Sequence, residues 1–267
     1  MTRVVLFLIV LALWAPTPAS AQHSELDDLA ARVAKHIQKK NKKRVYVVPF
    51  RGRNGTLSAL GDELTRSFRE SLGRAAPTIE VMDESALVPL AKRFGLAPYW
   101  AKSPGFAENA ALAGAELIVT GILESRKNTS RLTTKLRLPY DSTFAEESAD
   151  LATLLPGSME EKPVIDEESG AYIATLGGVT YPECGQCPIP TYTDPARDKK
   201  VSGRILFVAT VTAEGRVTDI RILQPLEPSL DKRATETLSS WRLKPARGPD
   251  GKAVAVRLLV EMTFQLY

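Results

Sequence analysis

Cys184-Gly-Gln-Cys187 has the spacing of a thiol–disulfide redox motif. Such a site needs its first cysteine at a helix N-terminus, where the dipole lowers the thiol pKa. Pro182 precedes the pair and Pro188 and Pro190 follow it, so no helix can continue through it. The pair therefore reads as a small disulfide or as two exported thiols, with thiol-redox catalysis as the rival. Structural zinc asks for four ligands, and the only histidines, His23 and His36, lie far from the cysteines in sequence. No metal site is expected. A Ser-His-Asp triad would have to borrow one of the same two histidines and is not expected either. The loop after Phe50 carries Gly52, Gly55 and Gly61, which match neither phosphate-cradling pattern. They read as turn residues, and no cofactor is implied. The chemistry-bearing residues thus point away from catalysis.

The composition is 44% hydrophobic and 25% charged, with a net charge of +4. That suits a folded soluble protein of two small domains. No dense basic face with interleaved aromatics appears, so nucleic acid is not an expected partner. Residues 1–21 read as a signal peptide: Arg3, an apolar run from Val4 to Trp14, then Ala19-Ser20-Ala21. Cleavage after Ala21 would leave an exported, periplasmic protein. The alternative is a retained anchor in the inner membrane. Asn54-Gly-Thr56 and Asn128-Thr-Ser130 match glycosylation acceptors and carry no weight here.

Residues 22–138 alternate helices with strands. Ser24 is the expected cap of a helix whose apolar face is Leu26, Leu29, Ala30, Val33 and Ile37. The basic cluster Lys39, Lys40, Lys42, Lys43 and Arg44 closes it, complementing the dipole. Strands are expected at Val45–Phe50, Thr78–Met82, Glu116–Leu123 and Arg131–Leu138. Helices are expected around Leu60–Leu72 and Leu87–Phe94, and from Ser103 to Gly114. The order argues for an α/β layer. The Val-Val-Pro-Phe strand, the following helix and the apolar run from Ala115 to Leu123 resemble FlgO-like and TolB N-terminal-like envelope domains. Residues 139–177 are acidic and lack a sustained period, with Pro156, Gly157 and Pro163 as breakers. They read as a linker with one short helix near Ala145–Leu155.

Residues 178–267 form the second module. A strand from Gly203 carries Ile205, Phe207, Ala209 and Val211 on one face. Ala213-Glu214-Gly215 turns it back into Val217, Ile220 and Ile222. Ser229 is the expected cap of a helix presenting Leu230, Ala234, Leu238 and Trp241, which Pro245 prevents from continuing. The last strand alternates: Val254, Val256, Leu258, Val260, Met262, Phe264 and Leu266 face one way. Arg257, Glu261, Thr263 and Gln265 face the other, with Ala255, Leu259 and Tyr267 breaking the polarity. This pattern predicts a three-stranded antiparallel sheet with helices packed on one side, an α+β fold whose core includes Phe207, Leu230, Leu238 and Trp241.

The series Pro190-Thr-Tyr-Thr-Asp-Pro-Ala-Arg197, Gly203 to Val217, Leu230-Asp231 and Ser240-Trp-Arg-Leu-Lys-Pro-Ala246 resembles the C-terminal domain family of TonB. The resemblance implies a periplasmic binding module rather than an enzyme. It implies a partner that is another envelope protein, such as an outer-membrane receptor segment added as a strand. The long final strand, through Val254, Val256, Leu258, Val260, Met262 and Phe264, is the candidate edge; a core strand with a covered edge is the alternative. Edge strands could also pair two copies into a homodimer. No proline-rich spanning stretch is present, which argues against force transmission. The first reading is a non-enzymatic exported adaptor. The rivals are a membrane-anchored TonB-type energy transducer for outer-membrane transport and a periplasmic thiol-redox protein using Cys184 and Cys187.

Overall fold

A computed structural model describes residues 18–53, 57–107, 109–125, 129–139, 142–152 and 163–266. Most of the signal segment, Asn54 to Thr56 and Asn128 lie outside the described residues. No described helix is long and apolar enough to cross a membrane.

The first unit begins with helix α1, Pro18–Lys39. Ser24 therefore sits inside the helix rather than capping it. The apolar face is as expected, with Leu26, Leu29, Ala30, Val33 and Ile37 all buried. Strands β1 (Arg44–Val47), β2 (Arg51–Gly52), β3 (Glu80–Met82), β4 (Leu117–Ser125), β5 (Thr129–Arg137) and β6 (Thr143–Ala152) build a six-stranded sheet. β1 pairs in parallel with β3 and β4, and the meander β4–β5–β6 is antiparallel. Helix α2, Ala59–Ala75, is capped by Ser58, whose side chain accepts from the Gly61 N–H. It joins α1 over one face of this sheet, burying Phe50, Phe68, Leu72, Val119 and Leu136.

β6 overturns part of the linker expectation and the helix expected near Ala145–Leu155. Residues 143–152 pair with β5 along its length. Three of the acidic residues that suggest a linker, Glu146, Glu147 and Asp150, are satisfied in the fold. Glu147 accepts hydrogen bonds from Arg32 and pairs with His36 on α1, at 2.9 Å each. Asp150 and Glu146 pair across the strands with Arg131 and Lys135.

The other sheet face is covered by short elements: α3 (Val88–Arg93), α4 (Pro104–Ala107) and 3-10 turns at Glu84–Leu87, Pro98–Lys102 and Ala110–Ala113. The single helix expected from Ser103 to Gly114 is thus split, and Gly114 ends it with φ +92°.

The C-terminal unit holds β7 (Tyr172–Ile173), β8 (Glu183–Gln186), α5 (Asp194–Asp198), β9 (Gly203–Val211), β10 (Val217–Gln224), α6 (Pro228–Ser240), β11 (Arg242–Lys244), β12 (Ala246–Arg247), β13 (Ala253–Val254) and β14 (Val256–Phe264). Glu227, not Ser229, caps α6: its carboxylate accepts from the Ser229 and Leu230 N–H groups. Pro228 takes the first helical position, where its missing N–H costs nothing. The main sheet is four-stranded rather than three-stranded, in the order β10-β9-β14-β7. β7, from the expected linker, adds in parallel to β14.

Helices also do not stay on one side. Ile205, Phe207, Ala209, Val211, Val256, Leu258, Met262 and Phe264 bury against α6 through Leu230, Ala234 and Leu238. Leu206, Val208 and Leu259 on the opposite face bury against Trp100, Phe106 and Ala107 of the first unit. The short helical layer is therefore shared between the two sheets. Burial on both faces accounts for the nearly unbroken apolar run of β9.

Candidate functional site

The outer edge of β14 is where backbone groups could meet a partner. Its inner edge is paired with β9 without interruption from Val256 to Phe264. On the outer side, the Tyr172 N–H donates to the Ala255 carbonyl at 3.0 Å and the Ala174 N–H to the Arg257 carbonyl at 3.2 Å. The Tyr181 hydroxyl donates to the Leu259 carbonyl at 3.2 Å. Residues 255, 257 and 259 thus turn their backbone outward, and strand alternation gives Glu261 and Thr263 the same direction. Past Tyr181, Glu261 and Thr263 are both exposed and form the uncovered part of the edge among the described residues.

This refines the sequence reading of the edge. Val256, Leu258, Met262 and Phe264 send their side chains into the α6 core, and Val254 and Val260 pack partly against it. Their own backbone groups are not the free ones within β14. The alternate residues hold the acceptor positions. Among the core candidates, Phe207, Leu230 and Leu238 are fully buried, whereas Trp241 is half-buried at the helix end.

Beside the edge lies a cavity of about 270 Å³ whose walls include Tyr181, Pro182, Trp241, Leu243, Val260 and Glu261. The far wall comes from the first unit through Gly105 and Asn109. Gly105 belongs there because a Cβ would approach the Leu259 Cβ to 3.3 Å. Trp241 is oriented by its indole N–H, which donates to the Pro188 carbonyl at 2.9 Å. Cys184 and Cys187 are joined as a disulfide. Cys184 sits on β8, opposite Leu243 of β11, and Cys187 directly follows the strand. That strand setting lacks the helix N-terminus a reactive thiol would use. Among the described residues no His/Cys/Asp/Glu cluster could hold a metal ion.

The segment covering the first half of the edge is itself anchored. Arg257 pairs with Asp166 at 3.4 Å and donates to Glu168 at 3.1 Å. Asp166 accepts from the Trp100 indole and the Tyr99 hydroxyl, each at 3.2 Å, and from the Ser169 N–H and hydroxyl. Burial pushes this carboxyl up, but the Ser169 and Trp100 hydrogen bonds and the Arg257 charge outweigh it and hold it below the usual range. Nothing in the sequence alone pairs residues this far apart.

The family model for the C-terminal region of Gram-negative bacterial TonB proteins matches residues 188–266. This segment of the chain is similar to the TonB C-terminal family. The TonB-like match contains β9, β10, α6 and β14, the elements that build the edge, and leaves β7 outside. Protein TonB of Pseudomonas aeruginosa is 31% identical over 67 residues. That alignment covers 25% of this chain and 19% of the relative, about a fifth of its length. The solution structure of the Pseudomonas aeruginosa TonB C-terminal domain aligns at 24% identity and TM-score 0.29, covering 37% of this chain and 96% of that one. The LpoB C-terminal domain from Salmonella enterica aligns at 17% identity and TM-score 0.38, covering 52% of this chain and all of that one.

Proposed function

We propose that this protein is a non-enzymatic, exported cell-envelope adaptor. Its TonB-like domain takes up an extended segment of another envelope protein at the free end of β14. The observation that carries this is the outward-facing backbone of Glu261 and Thr263 beside an apolar cavity. An added strand satisfies such groups, and neighbouring pockets take its alternate side chains. Trp241, Leu243 and Pro182 offer an apolar wall for one of them.

The opposite sheet edge suits this role less. β10 carries two register irregularities and a positive φ at Asp219, and such bulges deter strand pairing. A homodimer through β10 is accordingly not favoured over capture at β14.

The first unit serves as a second docking unit and as the platform for the acceptor sheet. Its likeness to FlgO-like and TolB N-terminal-like domains rests on its own strand and helix order. A membrane-anchored TonB-type transducer is the alternative, favoured by the P. aeruginosa relative. The first residue of the mature protein decides between them: Gln22 supports the adaptor and Met1 the transducer.

The test of the acceptor reading is a photo-crosslinking residue placed at Glu261 in the intact envelope, with the same group at Glu236 on α6 as the control. Adducts from Glu261 alone, mapping to one extended segment of another envelope protein, are expected. Equal adducts from both positions, or none from Glu261, would refute it.

A further inference from the structure

The edge of β14 already holds a strand of this chain. We infer that residues 164–181 are a cis-acting competitor for the acceptor edge, limiting it to Glu261 and Thr263 while in place. This rests on the reading of β14 as a partner acceptor.

The segment behaves as a strand ligand would. It lies parallel to β14, with Tyr172 opposite Val256 and Ile173 opposite Arg257. Its donors occupy the outward carbonyls of Ala255, Arg257 and Leu259 in succession. It presents a preformed turn: the Asp166 N–H bonds the Ala171 carbonyl, and the Gly170 N–H bonds the Asp166 carbonyl. The Ile173 N–H closes the arm onto the Val164 carbonyl. Side chains seat it on both sides, Ile173 and Leu176 in the shared core and Ala174 and Val179 in the α6 core.

What holds it is not continuous strand pairing. β7 has only two residues. The clamp is polar and spans both units: Asp166 and Glu168 on Arg257 of β14, and Trp100 and Tyr99 of the first unit on Asp166. A rearrangement of the Trp100 turn therefore has a direct route to the acceptor edge. With the segment released, the acceptor would grow from Glu261–Thr263 to the whole outer side from Ala255 onward.

The test uses the full chain and a labelled synthetic peptide copying residues 163–176. In the wild-type protein the cis segment competes at an effective concentration of about millimolar, so micromolar peptide should not bind. In Asp166→Ala the cis segment loses its anchor, while the peptide still carries its own aspartate for Arg257. The expected result is saturable binding at least about tenfold tighter than to wild type, lost when the peptide itself carries Asp166→Ala. Amide exchange at Tyr172 and Ala174 should accelerate in the variant while Phe207 in β9 stays slow. If Phe207 also exchanges quickly, the variant has unfolded. Ser169→Ala, which removes one hydroxyl donor to Asp166, then replaces it under the same criteria. Slow exchange at Tyr172 and Ala174 with no peptide binding in a folded variant overturns the inference while leaving crosslinking at Glu261 intact. Peptide capture without any Glu261 adduct in the envelope upholds the competitor and removes the partner reading instead.

Discussion

Arg257 on β14 and Asp166 on the preceding turn lie 3.4 Å apart, with side chains only 4% and 5% exposed. A carboxylate and a guanidinium withdrawn together cost less than either alone. Removing Asp166 leaves the buried Arg257 to the more exposed Glu168, and breaking a buried pair typically costs up to about 3–5 kcal/mol. Asp166→Ala should therefore lower the urea midpoint strongly. The double variant Asp166→Ala, Arg257→Met should recover part of the loss. A double variant less stable than Asp166→Ala would show that the pair is not coupled.

The same pair sets a pH dependence. The Asp166 carboxyl is held below its ordinary value in the fold. Its contribution is complete above the unfolded value of about 4 and is lost as pH falls through the lower folded value. The stability gap between wild type and Asp166→Asn should be wide at neutral pH and narrow in acid. A gap that stays constant in acid would contradict this.

Tyr46 is fully buried in the shared core, and its hydroxyl has no hydrogen-bond partner among the described residues. Burial pushes its pKa well above the usual tyrosine range. An unsatisfied buried hydroxyl costs about 1–3 kcal/mol. Tyr46→Phe should raise the melting temperature, and a clear decrease would mean that the hydroxyl has a partner in solution.

Phe264 is buried and meets the Tyr192 ring edge-on, with centroids 5.5 Å apart. Phe264→Asp places a carboxylate in the apolar α6 core, at a high desolvation cost. The C-terminal unit should lose its cooperative melt by calorimetry. A melt at the wild-type temperature would refute the packing.

Proline separates the two sides of β14. The Val260 N–H faces β9, where it pairs with Phe207, whereas the Thr263 N–H faces outward. Proline is tolerated in a strand only where its missing donor faces solvent. Val260→Pro should therefore unfold the sheet. Thr263→Pro should fold with a modest loss in melting temperature and lose Glu261 crosslinking. Equal destabilisation by the two would contradict the assigned direction of the edge.

The alternation of β9 and β14 was readable because each strand's core face repeats every second residue. Leu259 stood out as an apolar residue on the polar face, and the reason is its packing against Phe106 and Ala107 of the first unit. Residues 143–152 were not readable as a strand. Alternate positions there mix Ala, Glu and Phe, and the charges find partners on α1 and β5, distant in sequence or across a turn. β7 was missed for a related reason. Two residues carry no period, and their place depends on Asp166 meeting Trp100 and Arg257, contacts distant in sequence. The outward-facing backbone groups of β14 belong to the residues between those singled out in the sequence, for a simpler reason. Side-chain pattern marks the core-facing residues, whereas the outward backbone groups belong to their neighbours.

Amide hydrogen exchange along β14 in the isolated full chain tests the open edge most directly. Val260 and Met262 donate toward β9 and should exchange slowly, whereas Glu261 and Thr263 should exchange fast, giving a two-residue alternation. Uniformly slow exchange from Val260 to Phe264 would mean the outer edge is covered, and the strand-acceptor account would fall.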